Sequence, residues 1–284
     1  MSLKTVSPEV VQGFADIPAN HPGSASNYGV SGSYLQTDRH AIVSDRFQVI
    51  QPAAVGNALS ERGFNLVSCL TGKARQEDKT DFQRTISRYR SNDLFDINGL
   101  SLDIIYIGKH MGRGCDELRL GLYRGVCANQ WAVGTLFDMI RFRHTGNALD
   151  DIQTGIAAVL SQRAKLVETV QNMQGKQMTA SEIEELCKKY ADIRLNGKPN
   201  VIKVDFRRLA TVRRAEDSFA DLFTVANVLQ ENAIRFPIPY DLNAVDTQGN
   251  PYVRHMTSRR LRESSSQLVE LNGAMFDAAM QFAA

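Results

Sequence analysis

The chain has 284 residues, with 33 Lys and Arg against 31 Asp and Glu and a formal net charge of +2. At 43% hydrophobic and 23% charged it carries enough apolar material for a sizeable core, which excludes global disorder. The near-neutral balance excludes a protein that holds polyanions by bulk charge, so any such contact must come from local patches. No apolar run approaches the roughly 20 residues that span a bilayer, and Met1 to Gly13 has no signal-like apolar stretch. The expectation is a cytoplasmic protein with no membrane partner. Cys69, Cys115, Cys127 and Cys187 are scattered without metal-ligand spacing. They read as reduced thiols, and neither metal nor cofactor is expected.

In chain order, residues 1–38 are rich in Pro, Gly, Ser and Asn and read as an irregular arm. Regular structure is expected from His40-Ala-Ile-Val and Phe47-Gln-Val-Ile onward. Pro52 opens a short helix that stops at Gly63, and Phe64 to Leu70 follows as a strand. Phe82 to Arg90 alternates like a strand, and Leu102 to Ile107 has the composition of a buried one. Gly108 to Gly114 reads as a hairpin loop, with Leu118 to Val126 as the return strand and Trp131 and Val133 as its extension. Met139 to His144 is a last short strand. The period then becomes helical: Ala148 to about Met173, a helix capped by the box Thr179-Ala-Ser-Glu182, Ser218 to Arg235, and Ser264 to Phe282. Asn196 to Asn200 and Pro237 to Pro251 read as loops. The fold class expected is α+β, an antiparallel meander in residues 39–146 packed with helices, followed by a mainly helical portion, 147–284.

No nucleophile elbow, phosphate loop, zinc-protease helix or dinucleotide fingerprint is present, so no catalytic residue is assigned and an enzyme is not the expectation. A Cys127–His144 pair with Asp138 is one enzymatic alternative; a small apolar filler is the other reading of Cys127. Arginine placement says more. Arg84, Arg88 and Arg90 share one strand face, and Arg141 and Arg143 share another. Planar guanidinium forks suit phosphate, and nearby aromatics can stack on bases. Against this, residues 1–146 hold 16 basic and 14 acidic side chains, so the arginines can equally face carboxylates such as Asp81, Asp93, Asp96 and Asp103. Further basic clusters lie at Lys203, Arg207, Arg208, Arg213 and Arg214, and at Arg254, Arg259, Arg260 and Arg262.

Several segments together are familiar. They are Asp45-Arg-Phe47-Gln-Val-Ile-Gln-Pro52, Tyr123-Arg-Gly-Val-Cys127-Ala-Asn129-Gln130, Arg143-His-Thr-Gly146, Phe223-Thr-Val-Ala-Asn227-Val-Leu-Gln230-Glu231-Asn232, and Leu271-Asn272. From about residue 40 onward the chain resembles a prokaryotic family of phage- and plasmid-like proteins, domain of unknown function 932. Phe223 and Phe276 stand where members often have tryptophan. The resemblance implies a mobile-element origin and a cytoplasmic setting, and draws attention to Arg124, Cys127, Asn129, Gln130, Arg143 and His144. Arg124, Arg143 and His144 can engage phosphate, and Asn129 and Gln130 can bond base edges or cap turns. The functional expectation is nucleic-acid binding, single-stranded DNA binding or annealing in replication or recombination, through Arg84, Arg88, Arg90, Arg124, Asn129, Gln130, Arg141, Arg143 and His144, with a homo-oligomer as a companion expectation. The alternative is a protein-interaction module that inhibits or redirects a host protein.

Overall fold

The computed structural model describes residues 32–92, 100–112, 114–124, 129–132, 134, 137, 139–146, 148–198, 200–259, 261 and 266–283. The fold is α+β. The chain forms two compact units, the first running to Gln130 and again from Phe137 to Arg163, the second comprising Trp131–Leu136 and Ala164–Ala284. The expected arm, 1–38, lies outside the described residues up to position 31.

In the first unit a helical turn, α1 (Gly32–Leu35), and helix α2 (Pro52–Ser60) precede a sheet. Its strands are β1 (Phe64–Thr71), β2 (Thr85–Ser91), β3 (Leu100–Gly108), β4 (Asp116–Arg124), β5 (Asn129–Ala132, of which Asn129 and Gln130 belong to this unit) and β6 (Ile140–Phe142). The order is β1-β2-β3-β4-β5, with β6 also paired to β4. The neighbours β1–β2, β2–β3, β3–β4 and β4–β6 are antiparallel. Pro52 sits in the first turn of α2, where its missing N–H costs nothing. Gly63 then takes a positive φ of 78° to turn the chain into β1. Residues 39–50, expected to be regular, are turns and extended chain instead. Their apolar residues anchor single points, Ile50 in the core among them, rather than a strand face.

The period of two sorts the sheet into unlike faces. Leu102, Ile104 and Tyr106 of β3 stand beside Leu122, Leu120 and Leu118 of β4 and form the apolar side. The alternate residues, Asp103, Ile105 and Ile107, share their side with Arg90, Arg88 and Ile86 of β2 and with Arg119 and Glu117 of β4. Both sides of β3 are nonetheless buried, which matches its near-continuous apolar run.

Helix α3 (Ala148–Leu160) packs on β4 and β6 through Ile152, Ile156 and Val159, so it belongs to the first unit rather than to the helical portion expected from residue 147. The single helix expected from Ala148 to Met173 breaks at Ser161–Gln162. There the Ser161 hydroxyl and the Gln162 side-chain amide both donate to the Ala158 carbonyl, in competition with the helical ladder. Gly155 allows a close approach: a Cβ added there would stand 2.5 Å from the Phe142 ring. Gly155→Ala is therefore expected to destabilise the protein by about 1–3 kcal/mol through overpacking, despite alanine's better helix propensity. Chemical denaturation measures it.

The second unit holds α4 (Arg163–Gly175) from Ala164 on, α5 (Ala180–Leu195), the short α6 (Phe206–Leu209), α7 (Leu222–Arg235) and α8 (Ser266–Met280). Helices α5, α7 and α8 pack pairwise around Leu186, Tyr190, Ala226, Leu229, Met275 and Phe276. The capping box is present: Thr179 Oγ1 accepts from the Glu182 N–H, and Glu182 accepts from the Thr179 N–H at 2.7 Å. Asn196 in the left-handed region ends α5. One element departs from the sequence-based expectation. The stretch Pro237 to Pro251 is not all loop: it holds β8 (Pro239–Val245), the central strand of a three-stranded antiparallel sheet whose outer strands are β7 (Val201–Val204) and β9 (Pro251–Thr257). Pro239 and Pro251 each occupy the first residue of a strand, a position that tolerates proline and disguises the strand that follows.

Candidate functional site

The arginines of β2 do not form one open row. Arg84 precedes the strand and is exposed, whereas Arg88 and Arg90 turn inward onto Asp103. Arg88 Nη1 lies 3.1 Å from Asp103 Oδ2, and Arg90 Nε and Nη2 lie 2.9 and 3.1 Å from the two carboxylate oxygens. Arg90 also covers the Tyr123 ring, with its guanidinium carbon 3.2 Å from the centroid. Burial lowers the Arg88 guanidinium from its ordinary value, against the opposing pull of Asp103. Asp103 is fully buried. Its lone charge in the run Leu-Asp-Ile-Ile-Tyr-Ile was the available signal that cations must converge on it. As expected phosphate ligands Arg88 and Arg90 are thus redirected: their forks are matched to an internal carboxylate. Glu117 repeats the pattern, accepting from Lys109 Nζ and Arg119 Nη2, both at 2.7 Å. Burial pushes Glu117 up, yet those two cations hold it below its ordinary value.

A second polar cluster closes one end of the same sheet. Asp116, fully buried at the start of β4, accepts the Lys109 N–H at 2.7 Å and the Tyr106 hydroxyl. His144 Nε2 stands 3.0 Å from Asp116 Oδ1, an ion pair when the ring is protonated. The other ring nitrogen, Nδ1, is 3.0 Å from the Gln48 carbonyl. The ring stacks on Phe47 at 4.2 Å, and the Gln48 N–H donates to the His144 carbonyl at 2.8 Å. Burial disfavours a charged His144, but the Asp116 carboxylate at contact distance and the Gln48 carbonyl outweigh it and raise the imidazole above its ordinary value. Neighbouring His110 is buried, neither ring nitrogen has a hydrogen-bond partner among the described residues, and burial lowers it. The Asp-Arg-Phe-Gln and Arg-His-Thr-Gly segments, 96 residues apart, therefore meet through a stacked ring and two hydrogen bonds. His144 is a buried strut, not an exposed phosphate ligand.

That sheet end also gathers cations from separate connections. Thr71 pairs with Thr85, Thr85 with Gly108, and Asp116 with Phe142, so the chain beyond each strand emerges side by side. Lys73 follows β1, Arg84 precedes β2 with its carbonyl accepting the Gly72 N–H, Lys109 follows β3 and Arg143 follows β6. Five strands, β1-β2-β3-β4-β6, set this row across about 19 Å at ordinary strand spacing. Lys73, Arg75, Arg84, Arg141 and Arg143 are exposed, while Lys109 is largely covered and bonded to Glu117. Lys73 and Arg75 were missed from sequence because their relation to Arg84 passes through the β1–β2 pairing, not through spacing. The acidic residues Glu77, Asp78 and Asp81 lie in the same connection. Arg124 ends β4, half-buried, remote from this row along the strand. Asn129 and Gln130 lie on β5 with their side chains outside the described residues, as do Cys127 and Asp138 entirely.

In the second unit Arg213 bonds Asn232 and covers Phe236, and Arg214 forks onto Glu231 with Asp217 alongside. Lys203, Arg207, Arg208, Arg254 and Arg259 are exposed; Arg260 and Arg262 lie outside the described residues. The familiar helical segment is internal as well. Asn232 donates to the Leu209 and Thr211 carbonyls, and Gln230 donates to Asn272. The Cys69 and Cys187 thiols are buried and pushed up to about 11 by burial, so neither is a ready nucleophile. Among the described residues no cluster of His, Cys, Asp and Glu is arranged to hold a metal, and no helix is long and apolar enough to cross a membrane.

Comparison with known proteins agrees with the segments noted above. The UPF0380 proteins YafZ and YfjQ of Escherichia coli (strain K12) are each 23% identical to the chain over 209 residues, covering 73% of it and 75% of their own length. No solved structure matches. The family model described as Domain of unknown function (DUF932) matches residues 39–270, most of the chain, including the strut at His144 and the buried amides of α7, and the chain belongs to that family.

Proposed function

We propose that this protein binds nucleic acid through phosphate contacts at the cationic end of the first unit's sheet, in the replication or recombination of a phage or other mobile element. One observation carries the reading: strand pairing sets Lys73, Arg84, Lys109 and Arg143, drawn from three connections, in a single row, with Arg75 and Arg141 exposed nearby. A row of this kind suits a backbone of repeating charge and carries no base-reading element, so binding is expected to be tolerant of sequence. The test is oligonucleotide binding by anisotropy over a range of salt. Affinity should fall linearly on a log–log plot, and Arg84→Ala and Arg143→Ala should each weaken all sequences alike and reduce the slope by about 1. A wild-type slope near zero would exclude phosphate neutralisation. Arg88 and Arg90 are the wrong residues for this test, because replacing them strands a buried carboxylate.

A second reading, a module that engages a host protein, is favoured by exposed apolar side chains in the second unit. Val245, Tyr252 and Val253 are 66%, 46% and 47% exposed on one hairpin.

A further inference from the structure

We infer that β9 is a docking edge that takes an extended acidic segment of a partner protein as a fourth strand of the second unit's sheet. The inference is independent of the nucleic-acid reading. It gives the protein-partner reading, on which it rests, a defined surface and partner chemistry.

Strand β9 is the last in the order β7-β8-β9, and no described strand lies beyond it. Pro251 to His255 and Thr257 are all exposed. Two hydrogen bonds fix the phase of the ladder. The Asp246 N–H donates to the Asn250 carbonyl at the tip, and the Ser258 N–H donates to the Ile238 carbonyl at the base. Between them the pairs Ala244–Tyr252, Leu242–Arg254 and Tyr240–Met256 are the bonded rungs. It follows that Tyr252, Arg254 and Met256 direct their backbone groups toward β8, while Val253, His255 and Thr257 direct theirs away. Pro251 falls in the outward phase, so its missing N–H removes no ladder bond. The outer side thus offers three evenly spaced N–H donors, at Val253, His255 and Thr257, with carbonyls between them. That is the template an added strand needs.

Charge selects the occupant. Arg254 is the centre of the strand, flanked by His255, and Arg259 follows the strand exposed. The strand itself has no carboxylate; Asp241, on β8, contacts His255 Nδ1 at 2.7 Å. A second copy pairing antiparallel about the centre would set Arg254 against Arg254, like charges directly opposite, which is destabilising. An extended segment with Glu or Asp alternating with β-branched residues would place its carboxylates against Arg254 or His255, and its apolar residues beside Tyr252 or Val253.

The experiment uses the full chain and two fluorescent peptides, one alternating valine with glutamate and one alternating valine with lysine. The glutamate peptide is expected to bind at least about tenfold more tightly, a difference of about 1.4 kcal/mol. Val253→Pro deletes an outward N–H and leaves the β8 ladder whole, so it should abolish binding with an unchanged thermal midpoint. Arg254→Glu should reverse the peptide preference, which tests the charge argument without a proline. Equal binding of the two peptides, or dimerisation of the wild type that Val253→Pro abolishes without any peptide binding, overturns the proposal. A protein partner that binds Val253→Pro normally also overturns it, while leaving the protein-partner reading intact.

Discussion

Asp103→Ala should lower the unfolding free energy by about 3–5 kcal/mol, the range for removing one partner from a buried ion pair. The carboxylate has no exposure, and three guanidinium nitrogens from Arg88 and Arg90 lie 2.9–3.1 Å from it. Without it two closely spaced cations remain in a covered sheet face with no counter-charge from that site. Asp103→Asn keeps an acceptor and should fall between wild type and alanine. Exchanging all three residues for apolar ones of similar size should cost less than the single alanine change, because no charge is then left behind. Urea denaturation of the four proteins checks this, and a loss below about 1 kcal/mol for Asp103→Ala would show that the pair behaves as a solvated one.

Asp116→Ala is expected to cost a similar amount, again about 3–5 kcal/mol, because it strands the Tyr106 hydroxyl, the Lys109 N–H and the His144 ring together. The same cluster sets a pH dependence. His144 is raised in the folded protein, so its contribution is complete below its unfolded value of roughly 6.5 and is lost as pH rises through the higher folded value. His110 is lowered, so the fold loses stability as pH falls below that same unfolded value. The two limbs oppose one another and place the stability maximum of this cluster near the ordinary histidine value. His144→Gln should flatten the alkaline limb and His110→Gln the acidic one, read by denaturation across pH 5 to 8. Hydrogen exchange gives a local readout. The Gln48 N–H, bonded to the His144 carbonyl, should lose protection in Asp116→Ala before the β3–β4 ladder does.

Local signals made most elements legible. Pro52 and Gly63 bracket α2, the capping box opens α5, and the apolar alternation of Leu118, Leu120 and Leu122 marks β4. Where a local signal was ambiguous the reading failed in both directions. Prolines at strand starts hid β8 and β9, and apolar residues that anchor single points made residues 39–50 look regular. The familiar segments were legible as a family likeness but not as a role. His144 looked like a phosphate ligand, and Gln230 and Asn232 had no role assigned, yet all three bond other segments inside the units.

By itself the sequence determined the α+β class, the family and most helix and strand positions, because these rest on residues close together in the chain whose periods and caps act locally. Only the tertiary structure decided which arginines are available to a partner. Arg88 and Arg143 are alike in sequence, but a guanidinium's fate depends on the carboxylate that strand pairing brings beside it. Register set Arg88 beside Asp103 and left Arg143 at the exposed sheet end. That choice belongs to long-range pairing, on which neither composition nor periodicity bears.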